Sequence, residues 1–140
     1  MIRSACVCVS RFLDQVLRPI FDRPTRQTTF ANNIHFVRRL ELYRNLDLLT
    51  STTNFITYDV DDFYTMIPRD GALLALQQLL TKHVDNGKIH GMTINTAMKL
   101  ANAVLDTNSF VVEDKYYKKI RGGAIGSSFT MTLANIYILK

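Results

Sequence analysis

The chain has 140 residues, 47% hydrophobic and 21% charged, proportions that exclude a disordered or fibrous protein and favour one domain. No apolar run approaches the roughly 18–20 residues of a membrane span, and the stretch after Arg3 is too short for a secretory signal. Cys6 and Cys8 cannot form a disulfide framework. We therefore expect an intracellular protein, nuclear or cytoplasmic and not secreted, with no membrane partner.

The net charge of +5 is unevenly distributed along the chain. Residues 1–58 carry eight bases and four acids, residues 59–86 two bases and five acids, and residues 87–140 seven bases and three acids. Basic arms of this kind suit a polyanion, and a compact acidic centre suits a divalent cation. The alternative is a solvated surface whose charge is uneven.

Apolar residues at spacings of three and four predict five helices, over residues 10–18, 30–46, 69–83, 92–106 and about 127–138. Pro19 and Pro24 are expected to end the first helix. Residues 54–60, NFITYDV, are rich in aromatic and β-branched residues and predict a strand. Residues 109–112 and 115–119 alternate in polarity and predict a β-hairpin. This order of elements predicts an α+β fold.

The first motif is YDVDDFY at residues 58–64, which places three carboxylates within four positions. Magnesium is bound in proteins by one or two carboxylates together with substrate phosphates. The side chains of Asp59 and Asp61 would point the same way if the predicted strand continued through them. The alternative is an acidic turn in which Asp62 caps a short helix.

The second motif is RGGAIGSS at residues 121–128, whose three glycines allow positive φ and leave room for another backbone. Ser127 or Ser128 can cap the helix that follows, and the amino end of a helix favours an anion. No lysine follows the last glycine, so this is not a P-loop, and the glycine spacing does not match a dinucleotide site. The alternative is a simple strand-to-helix turn.

The third motif is KYYKKIR at residues 115–121, in which basic residues alternate with aromatic ones. Such a strand can contact phosphates through lysine and arginine and pack on sugars or bases through tyrosine. The alternative is an exposed strand whose edge is protected by lysines.

Together, these motifs resemble a known family. The segment FITYDVDDFYTMIPRDGALLALQQLL resembles the first catalytic segment of reverse transcriptases, in the form found in Penelope-like retroelements, a class of retrotransposon. The segment LANAVLDTNSFVVEDKYYKKIRGGAIGSSFTMTLANIYI resembles the hairpin and glycine-rich second segment of that family. The resemblance covers roughly residues 10–140. It implies a partial polymerase, with residues 1–50 in a fingers-like part and residues 51–140 in the palm.

The resemblance also implies roles for individual residues. Asp59 would be the catalytic carboxylate and, with the backbone carbonyl of Val60, would bind Mg²⁺ or Mn²⁺. The residues implied to bind the nucleotide are Asp62, Phe63, Tyr64, Gly126 and Ser127. The Tyr64 ring would lie under the sugar and disfavour a nucleotide that carries a 2′-hydroxyl. Template and primer would be bound by Lys118, Lys119, Arg121, Gly122 and Gly123. The implied partners are an RNA template, a DNA primer and deoxynucleoside triphosphates, and the implied reaction is two-metal nucleotidyl transfer.

The third segment of that family is an aromatic-x-Asp-Asp hairpin that supplies the remaining metal-binding carboxylates, and no such pair follows residue 126. We therefore expect a reverse transcriptase fragment that does not polymerise by itself. One alternative is a non-catalytic nucleic-acid-binding remnant that uses the basic arms alone. Another is a haloacid-dehalogenase-like phosphatase with Asp59 as nucleophile and Asp61 as acid/base. The hairpin predicted after residue 87 does not match the alternating strands and helices of that fold.

Overall fold

A computed structural model of the protein describes residues 5–124 and 126–139, and its fold class is α+β, as predicted. The described helices are α1 Ala5–Thr25, α2 Asn33–Asn45, α3 Phe63–Met66, α4 Arg69–His83, α5 Ile94–Asp106 and α6 Ser128–Ile138, with a 3₁₀ turn at Asp85–Gly87. The described strands form two antiparallel pairs, β1 Lys88–Ile89 with β2 Met92–Thr93 and β3 Ser109–Val112 with β4 Lys115–Lys118. None of the described helices combines the length and apolar character that crossing a membrane requires.

The chain forms two units, which we call the main unit and the small unit. The main unit joins Met1–Phe21 to Asp62–Lys140, and the small unit is Asp22–Asp61. This division does not follow the predicted boundary between residues 50 and 51. The assignment of those two parts to fingers and palm stays a prediction.

The core of the main unit is apolar and is built from α1, α4, α5 and α6. Its fully buried large side chains are Leu13, Leu17, Leu76, Leu80 and Phe129. In α4 the buried positions recur at three and four residues, which is the spacing that directs one helix face inward. Burial of each such side chain stabilises the fold by about 1.5–3 kcal/mol. The core therefore fixes the helices between which the candidate site lies.

Three predicted helices and the predicted hairpin of the main unit are confirmed. Helix α4 has the predicted bounds, α5 begins two residues later than predicted, and α6 begins one residue later. The later start of α5 follows from its cap, because the Thr93 side chain accepts a hydrogen bond from the Thr96 amide at 3.2 Å. In the hairpin, Glu113 and Asp114 form the turn with φ of 49° and 60°.

The prediction that Pro19 ends the first helix is wrong, because α1 continues through Pro19 and Pro24 to Thr25. A proline inside a helix costs about 3 kcal/mol, since it removes one hydrogen bond and crowds the preceding turn. On either side of Pro19, the side chains of Leu17 and Phe21 are buried in the main-unit core. Burial of apolar side chains outweighs the local preference of proline here.

The small unit contains α2, which confirms the predicted helix over residues 30–46. The Asn32 side chain caps α2 by accepting a hydrogen bond from the His35 amide at 2.8 Å. The apolar residues of α2 recur at three and four positions, but no residue of α2, all of which is described, is buried. Ile34 is 64% exposed and Val37 is 51% exposed. The apolar spacing therefore predicts the helix correctly but not its burial.

The predicted strand at residues 54–60 is wrong, since these described residues adopt no regular secondary structure and pair with no strand. Its apolar side chains lie in solvent, with Ile56 71% exposed and Tyr58 88% exposed. The preference of aromatic and β-branched residues for strands reflects packing on a half-buried sheet surface. Residues 54–60 pair with neither of the two described hairpins, so their composition alone does not produce a strand.

Candidate functional site

Two motifs that are far apart in the sequence lie side by side in the main unit. The backbone amide of Gly122 donates to the Ile67 carbonyl at 3.0 Å, and the amide of Gly123 donates to the Tyr64 carbonyl at 3.1 Å. We call residues 119–123 the glycine loop and residues 62–68 the acidic turn. Their backbone hydrogen bonds join the end of the first motif to the start of the second, and we call this contact the joint.

The joint requires glycine at position 122. The φ of Gly122 is +59°, in the left-handed region that disfavours side chains. A Cβ built there would lie 2.6 Å from the Thr65 carbonyl oxygen and closer still to that of Tyr64. Gly123 is also confined, because a Cβ there would lie 2.5 Å from Cγ2 of Thr130 in α6. The prediction that these glycines leave room for another backbone is confirmed at Gly122.

The acidic turn carries three residues that the sequence assigns to nucleotide binding. Asp62 has φ of 51°, and its carboxylate is exposed. It is the N-cap residue of the short helix α3, as in the alternative interpretation of this motif, but its side chain makes no capping hydrogen bond. Its backbone carbonyl accepts instead from the Thr65 amide at 2.9 Å. The rings of Phe63 and Tyr64 lie 5.4 Å apart and pack partly against the core. The turn therefore presents one free carboxylate above two half-buried rings.

Arg69, the first residue of α4, is a site residue that the sequence analysis does not single out. Its Nε donates to the Gly122 carbonyl at 3.3 Å, its Nη2 donates to the Lys119 carbonyl, and its Nη1 lies 3.7 Å from the Asp106 carboxylate. Its side chain is only 15% exposed. The available signal was its position, because Arg69 lies five residues after the first motif and is one of two bases in the acidic centre.

The basic residues predicted to bind template and primer divide into two groups. Lys119 faces the loop, since its ammonium donates to the Gly123 carbonyl at 2.9 Å. Lys118 lies 3.7 Å from Asp106 but keeps 62% of its side chain exposed, and Arg121 is also exposed. The structure therefore leaves Lys118 and Arg121 available to a ligand, while Lys119 stabilises the loop.

Strand β4, which carries the rest of the third motif, is exposed along its whole length. Tyr116 is 82% exposed and is flanked in sequence by the exposed Lys115. This arrangement suits contact with a phosphate backbone and also suits a lysine-protected edge. Both interpretations of the third motif remain open on this geometry.

Beyond the glycine loop, Ser127 caps α6 as predicted. Its Oγ accepts from the Thr130 amide at 3.4 Å and lies 2.8 Å from the hydroxyl of Ser10 in α1. A pocket of about 280 Å³ adjoins this cap and is also lined by Arg11, Asn108 and the exposed Gly126. The Asn108 Nδ2 is buried and has no hydrogen-bond partner among the described residues. The pocket thus presents one guanidinium and one spare amide donor, which suit an acceptor-rich group.

The predicted metal ligands Asp59 and Val60 belong to the small unit. The Asp59 carboxylate is exposed and accepts a hydrogen bond from the Val60 amide at 2.9 Å. Its oxygens are the ligand type that Mg²⁺ prefers. Within residues 5–124 and 126–139, however, no three histidine, cysteine or acidic side chains converge to hold a metal ion.

The chain matches no protein-family model, no curated protein and no solved structure. The resemblance to reverse transcriptases consequently rests on the residues of the two quoted segments.

Proposed function

We propose that this chain is part of the palm and fingers of a reverse transcriptase of the Penelope-like kind, and that its main unit binds a nucleic-acid strand. The observation that carries the proposal is the joint. The resemblance to reverse transcriptases implies that the acidic turn contacts the incoming nucleotide and that the glycine loop lies along the template. A polymerase needs these two surfaces together, because the nucleotide must pair with the template base. Two backbone hydrogen bonds link them here.

The charge around the joint supports binding of a polyanion. Lys115, Lys118 and Arg121 are exposed on one short stretch of chain next to the glycine loop. Phosphate contacts by such residues provide most of the sequence-independent affinity for nucleic acid. The exposed ring of Tyr116 lies among them, and stacking of a base on an aromatic ring contributes about 1–3 kcal/mol.

Polymerisation itself would require more carboxylates than this chain brings together. We assign Asp59 the role of one metal-binding carboxylate in a complete domain, where a further acidic segment supplies the others. The segment at residues 54–60 fits that assignment, because its unpaired backbone and exposed apolar side chains suit an additional strand. For this chain alone, we propose nucleic-acid binding without catalysis.

A non-catalytic nucleic-acid-binding remnant is the second candidate. It is favoured by the incomplete set of metal-binding side chains among the described residues. The phosphatase alternative has less support, since that fold alternates strands and helices, whereas the described strands form two antiparallel hairpins. A longer form of the chain that carries an aromatic-x-Asp-Asp segment distinguishes the two nucleic-acid functions. If the chain is part of a polymerase, this longer form should incorporate nucleotides, and Asp59→Asn should abolish that incorporation. If the chain is a non-catalytic remnant, the longer form should incorporate none.

Binding to a short RNA–DNA duplex should weaken steeply as salt rises, because each phosphate contact releases counterions. We expect a loss of at least about tenfold in affinity between about 50 and 200 mM salt, measured by fluorescence anisotropy. The double variant Lys118→Ala/Arg121→Ala should reduce the slope of log affinity against log salt by about 2. Lys82→Ala/Lys99→Ala, which removes the same charge elsewhere on the exposed surface, serves as the control. An affinity that is independent of salt, or the same slope change in the control, contradicts the proposal.

The chain alone should show no template-dependent DNA synthesis on a primed RNA template with either Mg²⁺ or Mn²⁺. The reason is the shortage of carboxylates, since one acidic segment holds divalent ions poorly. Extension of a labelled primer is the measurement. Incorporation by the wild-type chain that disappears in Asp59→Ala would show that the described carboxylates suffice.

A further inference from the structure

We infer that Arg69 is a positioning residue that holds Ile120 and Arg121 outward as a contact tip for the bound strand, an inference that rests on the proposed function. The two carbonyls that Arg69 binds belong to Lys119 and Gly122. The two residues between those carbonyls are Ile120, which is 82% exposed, and Arg121, which is also exposed. Arg69 therefore anchors the backbone on both sides of these two exposed residues.

Arginine is suited to this position because its guanidinium is a planar fork with five donors. One such group can serve two carbonyls and a carboxylate at the same time, whereas a lysine ammonium is a single point charge. In this protein the fork reaches Lys119, Gly122 and the Asp106 carboxylate. All three nitrogens of the guanidinium have a partner, and a lysine in its place would hold at most part of the loop.

The other contacts of the glycine loop fix the residues on either side of the tip. The Lys119 amide donates to the Asn108 carbonyl at 3.0 Å, and the Gly122 amide donates to the Ile67 carbonyl at the same distance. Ile120 and Arg121 are the residues of the loop that these bonds leave outside. The side chain of Arg121 is therefore displayed from a backbone held on both sides.

The charge of Arg69 is paired within the protein. Asp106 lies 3.7 Å from both the Arg69 guanidinium and the Lys118 ammonium, so it balances the half-buried charge of Arg69 locally. The residue that offers its charge to a phosphate is instead Arg121. This difference gives the two arginines distinct signatures, because only a direct phosphate contact changes the number of counterions released on binding.

The test compares three full-length variants binding a short RNA–DNA duplex across a range of salt. Arg121→Ala should weaken binding and reduce the log–log salt slope by about 1. Arg69→Lys keeps the charge and should weaken binding about tenfold at fixed salt with the slope unchanged, the size expected when a charge-assisted hydrogen bond is lost. Lys82→Ala, at an exposed position near the other end of α4, is the control for net charge.

Amide hydrogen exchange without nucleic acid gives a second readout that does not depend on the proposed function. The amides of Gly122 and Gly123 should exchange faster in Arg69→Lys than in wild type, with the melting temperature showing that the variant is folded. If Arg69→Lys does not fold, Asp106→Asn, which removes the carboxylate partner of the guanidinium, is measured instead.

The outcomes separate the inference from the function on which it rests. A folded Arg69→Lys with wild-type affinity and wild-type exchange overturns the positioning role. A slope change in Arg69→Lys equal to that in Arg121→Ala also overturns it, because Arg69 would then contact phosphate directly. Failure of the wild-type chain to bind the duplex rejects the proposed function, whereas faster exchange in the variant would still support the role of Arg69 in holding the loop.

Discussion

Replacement of Gly122 by alanine should destabilise the main unit by about 2–5 kcal/mol. About 1–2 kcal/mol of this is the cost of a side chain at positive φ, and the φ of Gly122 is +59°. The remainder is steric, because the new Cβ would overlap the carbonyls of Tyr64 and Thr65, and relief of overpacking of this kind costs about 1–3 kcal/mol. The obstacle is backbone, so it cannot move aside as a flexible side chain would.

Gly91→Ala is the matched control for the Gly122 variant. Gly91 also has positive φ, at +81°, but a Cβ there would meet nothing within 4 Å. Gly91→Ala should therefore reduce the free energy of unfolding only by the cost of a side chain at positive φ, about 1–2 kcal/mol. Urea unfolding of the two variants and the wild type measures the difference. Equal losses in the two variants would show that the close approach at the joint does not exist in solution.

Phe129→Ala should reduce the free energy of unfolding by about 3–5 kcal/mol, the usual cost of removing a fully buried aromatic ring. Phe129 is 0% exposed, at the start of α6, and packs in the core formed with α1, α4 and α5. Its backbone amide also donates to the Ser10 hydroxyl, so collapse around the cavity would disturb the cap of α6 as well.

Met131→Ala provides the comparison for Phe129, because Met131 lies on the same helix with 44% of its surface exposed. Met131→Ala should reduce the free energy of unfolding by no more than about 1 kcal/mol, as for most substitutions on a surface. Thermal and urea unfolding followed by circular dichroism give both values. A small effect of Phe129→Ala would mean that α6 does not pack in the centre of the main unit.

The elements that sequence patterns predict correctly are those whose determinants are local. The bounds of α4 and α6 follow from apolar spacing, and Ser127 signals the start of α6 directly. The hairpin follows from alternation on both sides of the Glu113-Asp114 turn. In each case the residues that specify the element lie within it or next to it, so one short window of sequence contains the information.

The failures arise where distant residues decide. The helix persists through Pro19 because Phe21 is buried in a core supplied by later helices. The segment at residues 54–60 has strand composition but lacks a neighbouring strand, which composition does not reveal. The α2 stripe has helical spacing, yet spacing alone does not tell whether another element covers it.

The candidate site was predictable in its parts but not in its assembly. The sequence indicates the acidic turn and the glycine loop as separate motifs, and glycine at position 122 indicates a close backbone approach somewhere. Only the structure shows that the approach is to Tyr64 and Thr65. The role of Arg69 could not be predicted in the same way, because two of its partners are backbone carbonyls. Every residue has a carbonyl, so the sequence does not indicate which ones a side chain binds.

The exposed segment that precedes Asp59 also affects the colloidal behaviour of the protein. Residues 54–58, NFITY, combine strong β propensity with no charge and no proline, which is the composition of segments that stack into cross-β assemblies. In the described structure nothing pairs with its backbone. The carboxylates of Asp59 and Asp61 follow immediately, and in-register stacking of identical chains would bring these like charges into columns. Asp59, which is assigned to metal binding, and Asp61 therefore act as gatekeepers, which oppose aggregation for as long as the segment remains uncovered.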